Sequence, residues 1–209
     1  MSQPILINGQ WRESAADTPT FSPVNPATGE TLASAYPLSA REEIDEMLDA
    51  ATHAATELCG TSPEQIAAFL HGYADGIEAA ADQLAEIAST ETGLPVAPRL
   101  TGVEIPRPTG QLRHAAAAAV SEDWTQPVID TATNLRSRLE SLGKPVLAIG
   151  PNNFPFAFNG IAGGDFAAAI ATGHPVIAKS PPPPPATHPP PPAAAPAAAP
   201  PAGLPPPPA

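Results

Sequence analysis

Two short apolar runs, with an alanine-rich stretch between them, limit what this chain can fold into more than any other feature. Val146-Leu147-Ala148-Ile149 stops at Gly150, and Val176-Ile177-Ala178 stops at Lys179. Continuous runs of this length read as strands buried on both faces of a sheet. Ile161 to Thr172 is rich in alanine, the best helix former, and Gly173 ends it. Strand, helix and strand in that span predict one right-handed βαβ unit and therefore an α/β fold. Ligands of open parallel sheets bind beyond the carboxyl ends of the strands. Asn152, Asn153 and Lys179 fall there.

The preceding residues supply a hairpin and helices. Ile5-Leu6-Ile7 runs into Asn8-Gly9, a hairpin turn signal, and Trp11 follows. Asn25-Pro26-Ala27-Thr28-Gly29 is a second turn, before a short run from Thr31 to Ala35. Ser39 with Glu42 reads as a capping box for a helix with Ile44, Met47, Leu48, Ala51, Ala55 and Leu58 at helical spacing, ended by Gly60. Ser62 caps the next, with Pro63 first and Gln65 third, and an apolar face from Ile66 to Ile87 carries it to Gly93 and Pro95. A third helix is predicted over Thr109 to Val120, and an exposed strand over Leu135 to Leu142. Helices with one apolar stripe each form the outer layer of a larger α/β domain.

Composition narrows the function. Net charge is −12, which excludes a nucleic-acid binder and a surface seeking anionic lipid. No run approaches the roughly 18 apolar residues of a membrane span, and the start has no secretory signal pattern. Cys59 is the only cysteine, so no internal disulfide forms and a cytoplasmic location is expected. It follows a helix C-terminus, where the dipole disfavours a thiolate, and reads as structural. The five histidines lack metal-ligand spacing, so no metal site is implied. Gly163-Gly164-Asp165 lacks the G-x-G-x-x-G spacing and reads as helix-start packing. Of the 31 prolines, 16 lie in residues 181–209, a stretch with no Asp, Glu, Lys or Arg. The chain thus divides near Ser180 into an ordinary protein, 1–180, and a disordered proline/alanine-rich tail, 181–209. On residue physics alone, Asn153 is a turn residue and Lys179 a solvated strand-end lysine.

The segment GPNNFPFAFNGIAGGDFAAAIATGHPVIAKS, preceded in order by LINGQW, NPATGE, ETGLP and TGQLR, resembles the aldehyde dehydrogenase superfamily from about Ile5 to Ser180. It is most similar to the α-ketoglutaric semialdehyde (2,5-dioxovalerate) dehydrogenase branch. The resemblance implies a Rossmann-like NAD(P)-binding domain, of which residues 1–180 are an incomplete N-terminal part, beside a catalytic domain and an oligomerisation extension. It implies oxidation of an aldehyde, such as the semialdehyde 2,5-dioxovalerate, to a carboxylic acid. A cysteine thiolate attacks, hydride passes to the nicotinamide, and a glutamate activates water. By that resemblance Asn153 is the catalytic oxyanion donor. Ile149, Gly150, Pro151 and Asn152 line the cofactor cleft, and Lys179 contacts the adenosine ribose or a 2′-phosphate. The cofactor is NADP or NAD, and the lack of a carboxylate after Lys179 leans towards NADP. Many members carry an aromatic residue where Asn152 stands. Partners implied are a small aldehyde and, for the full-length member, further copies of itself.

The family's cysteine position lies beyond residue 209 and no general base is in place, so this chain alone is expected to be inactive. Gly203-Leu204-Pro205 stands where the family ends the helix after the lysine, yet prolines replace that helix. Two other readings remain open: a non-catalytic oligomerisation or interaction module using the helices at 39–58 and 62–92, and a proline-rich interaction protein.

Overall fold

The computed structural model describes residues 2–15 and 17–180, and the expected proline-rich tail lies outside them. Strand β1 (Ile5–Ile7) pairs antiparallel with β2 (Gln10–Arg12). Asn8 and Gly9 turn between them with φ of 50° and 74°. Positive φ at both central residues is the type I′ requirement that the Asn-Gly pair satisfies. The Asn25 turn also forms: its Oδ1 accepts Ala27 N–H at 2.8 Å, and Gly29 takes φ 74°. The run expected over 31–35 makes only single bridges, Val24 to Thr31 and Ser2 to Ala35. Instead β3 (Thr20–Phe21) pairs with β4 (Tyr36–Pro37).

Helix α1 spans Arg41–Leu58 and its N-cap is Ala40, one residue later than the Ser39–Glu42 box predicts. Glu43 closes the turn instead. Its Oε2 accepts Ala40 N–H at 2.8 Å, while Oε1 accepts the Ser14 hydroxyl at 2.8 Å and Ala15 N–H at 2.9 Å. A carboxylate that serves the helix start and also ties down the N-terminal segment outcompetes one that could only cap. Helix α2 (Pro63–Ala79) begins as expected: Ser62 Oγ accepts Gln65 N–H, and Gln65 Oε1 accepts Ser62 N–H at 3.0 Å. The single helix expected over 62–92 is two, because the chain bends at Ala80 before α3 (Ala81–Thr92). The bend keeps the backbone bonds from Ala80 to Gly76 and from Leu84 to Ala80. Both apolar stripes, Ile77 on one side and Ala85 and Ala88 on the other, enter one core. Gly93, at φ 69°, ends α3 in the left-handed cap that glycine favours.

A segment over Val96–Glu104, extended at Ala97 and wound by π-type bonds such as Ile105 N–H to Leu100 O, leads into α4 (Pro106–Ser121), which starts three residues earlier than predicted. Pro106 and Pro108 sit in its first turn, where N–H groups lack intrahelical partners, so proline is no obstacle. The core lies among α2, α4 and α5 (Gly164–Ala171), filled by Leu70, Leu100, Leu112, Phe166 and Ile170 and by many alanines. Tyr73 stacks on Phe69 with centroids 6.0 Å apart and tilts against Phe166 at 5.6 Å. Each fully buried Leu, Ile or Phe contributes about 1.5–3 kcal/mol.

The exposed strand expected over 135–142 stops at Ser137. It is β6 (Leu135–Ser137), paired with β5 (Val128–Asp130), whose three residues set its length. Strand β7 (Val146–Ile149) runs parallel to β8 (Val176–Lys179) with α5 as the crossover, so the βαβ unit is present. Helix α5 starts at Gly164 rather than 161, because residues 159–163 form a tight turn. Burial of β7 on both faces does not hold. Ala148 is 3% exposed beneath α5, whereas Leu147 and Ile149 are 61% and 63% exposed on the other face. Helix α5 covers the Ala148 face and α1 touches β8, which leaves Leu147 and Ile149 of β7 open. No described helix is long and apolar enough to cross a membrane.

Candidate functional site

The loop from Gly150 to Gly163 joins β7 to α5 and carries most of the candidate residues. Two glycines let it fold tightly on itself. A Cβ on Gly150 would stand 2.9 Å from Gly160 N, and one on Gly163 would stand 2.7 Å from Asn159 O. Gly163 is the N-cap of α5, in keeping with the helix-start reading. Buried Asn159 ties the loop internally. Its Nδ2 donates to Pro155 O at 2.9 Å, its Oδ1 accepts Ile161 N–H at 2.9 Å, and its carbonyl accepts Gly163 N–H at 2.8 Å. The half from Pro155 to Gly163 is thereby held, and Pro151, Asn152 and Asn153 stand exposed at the exit of β7.

A buried carboxylate holds the loop from below. Glu104, at the end of the π-helical segment, has no exposed surface. Its Oε2 accepts the N–H groups of Phe156 at 3.3 Å and Ala157 at 3.1 Å. Its Oε1 pairs with Arg99 Nη2 at 2.8 Å. Arg99 also donates to the carbonyl of Asn153 at 3.4 Å and lies over the Phe154 ring, 4.8 Å from its centroid. Phe154 meets Phe158 edge-on at 5.3 Å, and Arg107 covers Phe158 at 4.8 Å.

Asn152 and Asn153 form one wall of an open cleft of about 460 Å³, completed by Val24, Pro26, Glu91, Thr92 and Leu94. Tyr36 lies close to Glu91. Its own burial and that carboxylate push its phenol up to about 12. The other predicted residues gather at the strand ends. Ile149 and Lys179 are register partners, and Gly150 N–H donates to Lys179 O at 3.4 Å. The candidates therefore form two groups, a cleft wall at Asn152 and Asn153 and a strand-end group at Ile149, Gly150 and Lys179, with Pro151 between. Cys59 belongs to neither: it is exposed at the end of α1, and its Sγ would meet a Cβ on Gly143 at 3.6 Å. No described cluster of His, Cys, Asp or Glu could hold a metal ion.

Glu104, Arg99 and Asn159 were not foreseen. A glutamate between Val103 and Ile105 and an arginine before Leu100 look like surface residues, and nothing in their spacing marks the ion pair. The strand ends do fit a nucleotide chemically. The open face offers apolar Leu147 and Ile149, against which a flat base can rest, and exposed Lys179 offers a cation to ribose or phosphate oxygens.

The profile of the aldehyde dehydrogenase family matches residues 11–206. An alpha-ketoglutaric semialdehyde dehydrogenase of Acinetobacter baylyi is 36% identical over 184 residues, covering 84% of this chain and 34% of that protein. A succinate-semialdehyde dehydrogenase structure from Burkholderia pseudomallei superposes with TM-score 0.72 at 28% identity, over 86% of this chain and 36% of that one. An NADP-dependent glyceraldehyde-3-phosphate dehydrogenase from Bacillus halodurans C-125, complexed with NADP, superposes with TM-score 0.73 at 25% identity, over 90% and 38%. The chain thus spans about a third of the length of these relatives.

Proposed function

The chain belongs to the aldehyde dehydrogenase family, and from that premise we propose that the whole protein oxidises an aldehyde to a carboxylic acid with NADP or NAD. The observation that carries the reading is the parallel β7–α5–β8 unit, with Asn153 exposed just past the end of β7 and Lys179 at the end of β8. NAD(P), when bound, accepts the hydride. Ile149, Gly150, Pro151 and Asn152 form the cofactor's bed, and Lys179 hydrogen-bonds the ribose or pairs with a 2′-phosphate. The Asn153 amide donates to the oxygen of the aldehyde as it gains negative charge.

The substrate proposed is an acidic semialdehyde such as 2,5-dioxovalerate. The Acinetobacter relative supports this by name. So does Arg107, which lies over Phe158 and has no carboxylate partner among the described residues. Residues 1–180 are proposed as part of the NAD(P)-binding domain and 181–209 as a separate tail, in a cytoplasmic protein that associates with its own kind.

The test is twofold. Lys179→Ala weakens nucleotide binding about tenfold by fluorescence titration, the scale of one charged contact. Asn153→Ala lowers kcat by about 10²–10³ with little change in nucleotide KM. Unchanged binding and turnover in both variants would remove the reading. The second reading, a non-catalytic oligomerisation module, draws on Ile44 and Leu48, exposed on α1. A monodisperse oligomer with no nucleotide affinity would favour it.

A further inference from the structure

We propose that the buried Glu104–Arg99 pair is a positioning device that sets where Asn153 stands. This rests on the reading of Asn153 as the oxyanion donor. Glu104 accepts two consecutive backbone N–H groups, of Phe156 and Ala157, and holds a guanidinium on its other oxygen. That guanidinium reaches back to the Asn153 carbonyl and covers the Phe154 ring. The pair therefore grips the loop on both sides of Pro155. A buried ion pair is a poor source of net stability, because desolvation offsets the attraction. Its value lies in geometry: one charge fixes two amides and aims a second charge at the residue that carries the chemistry. A glutamine could accept the amides but would turn an N–H₂ group or a neutral oxygen towards Arg99, and the link to Asn153 would slacken.

The experiment uses the 209-residue chain, isotopically labelled, with Glu104→Gln, Arg99→Met and Arg99→Lys. In Glu104→Gln the amides of Phe156 and Ala157 should exchange at least about tenfold faster, while those of Leu70 and Tyr73 keep their wild-type rates. In Arg99→Met the Asn153 side-chain amide resonances should move while Phe156 and Ala157 stay protected. Arg99→Lys, which keeps the charge, should restore the Asn153 signals. Unchanged loop exchange, or acceleration spread evenly through the core, overturns the proposal. Should Glu104→Gln fail to fold, the arginine variants decide: an Asn153 signal indifferent to Arg99→Met refutes it. In the whole protein, where turnover can be read, both losses should appear in kcat and spare nucleotide KM. If Asn153→Ala leaves turnover intact while the loop effects hold, the catalytic reading falls and the positioning contact stands.

Discussion

Gly163→Ala separates steric contact from backbone preference. Gly163 has φ −72° and ψ −177°, a conformation any residue adopts. Counting unfolded-chain entropy alone, alanine there would stabilise the protein by about 0.4–1 kcal/mol. The space around it says the opposite. The added Cβ would stand 2.7 Å from Asn159 O and 2.8 Å from both Asn159 N and Phe158 C. All three are backbone atoms, so no side chain can swing aside. The Gly163 N–H bond to Asn159 O, at 2.8 Å, keeps the turn from opening. Relief requires moving the 158–163 turn, and forced overpacking of this kind costs about 1–3 kcal/mol. Gly76→Ala is the control. Gly76 lies in α2 with nothing within 4 Å of its Cβ position, so alanine should add about 0.5–1 kcal/mol. In urea, with a slope of about 1–3 kcal/mol per molar, Gly163→Ala should lower the midpoint by roughly 1 M and Gly76→Ala should raise it by a few tenths. A Gly163→Ala midpoint at or above wild type would refute the reasoning.

Three further outcomes follow from the packing and the charges. Burial pushes the Glu43 carboxyl up, but bonds from Ala40, Ser14 and Ala15 and the nearby Arg12 charge outweigh it, so its pKa is lowered from 4.5. Its stabilisation is present above that ordinary value and is lost as pH falls through the depressed folded value. Glu43→Gln should cost about 1.5–3 kcal/mol at neutral pH and flatten the acid limb of stability against pH. Both tyrosines are raised from 10.0, Tyr36 to about 12 by burial and Glu91, and Tyr73 further by burial. Ultraviolet titration should show no tyrosinate near pH 10 while the protein is folded, and stability should fall as pH rises from 10 towards 12. Leu112, fully buried in α4, should cost about 2–5 kcal/mol when cut to alanine, read as a lowered urea midpoint.

Local chemistry was legible wherever a residue acts within its own turn. Asn8-Gly9, Asn25, the Ser62–Gln65 box, Gly93 and Gly173 all behave as their types require. The βαβ unit was legible because its strands differ from everything around them in texture. What escaped depends on partners distant in the chain. Ser39 and Glu42 form a plausible box, but the donors that decide the register are Ser14 and Ala15. The bend at Ala80 carries no glycine or proline. At the site, strand-end positions for Asn152, Asn153 and Lys179 followed from the βαβ pattern, whereas the roles proposed for them came only through resemblance. Glu104 was invisible because the backbone amides it accepts, of Phe156 and Ala157, lie 52 and 53 residues away.

The open side of β7 has a consequence for the protein's colloidal behaviour. Leu147 and Ile149 give two copies an apolar patch on which to stick, while a net charge of −12 pushes the copies apart. The range of that repulsion is the Debye length, about 10 Å at 0.1 M salt and about 3 Å at 1 M. Added salt shortens it and leaves the apolar attraction intact. Any self-association through this face would therefore strengthen with ionic strength, the reverse of what opposite charges meeting across an interface would produce.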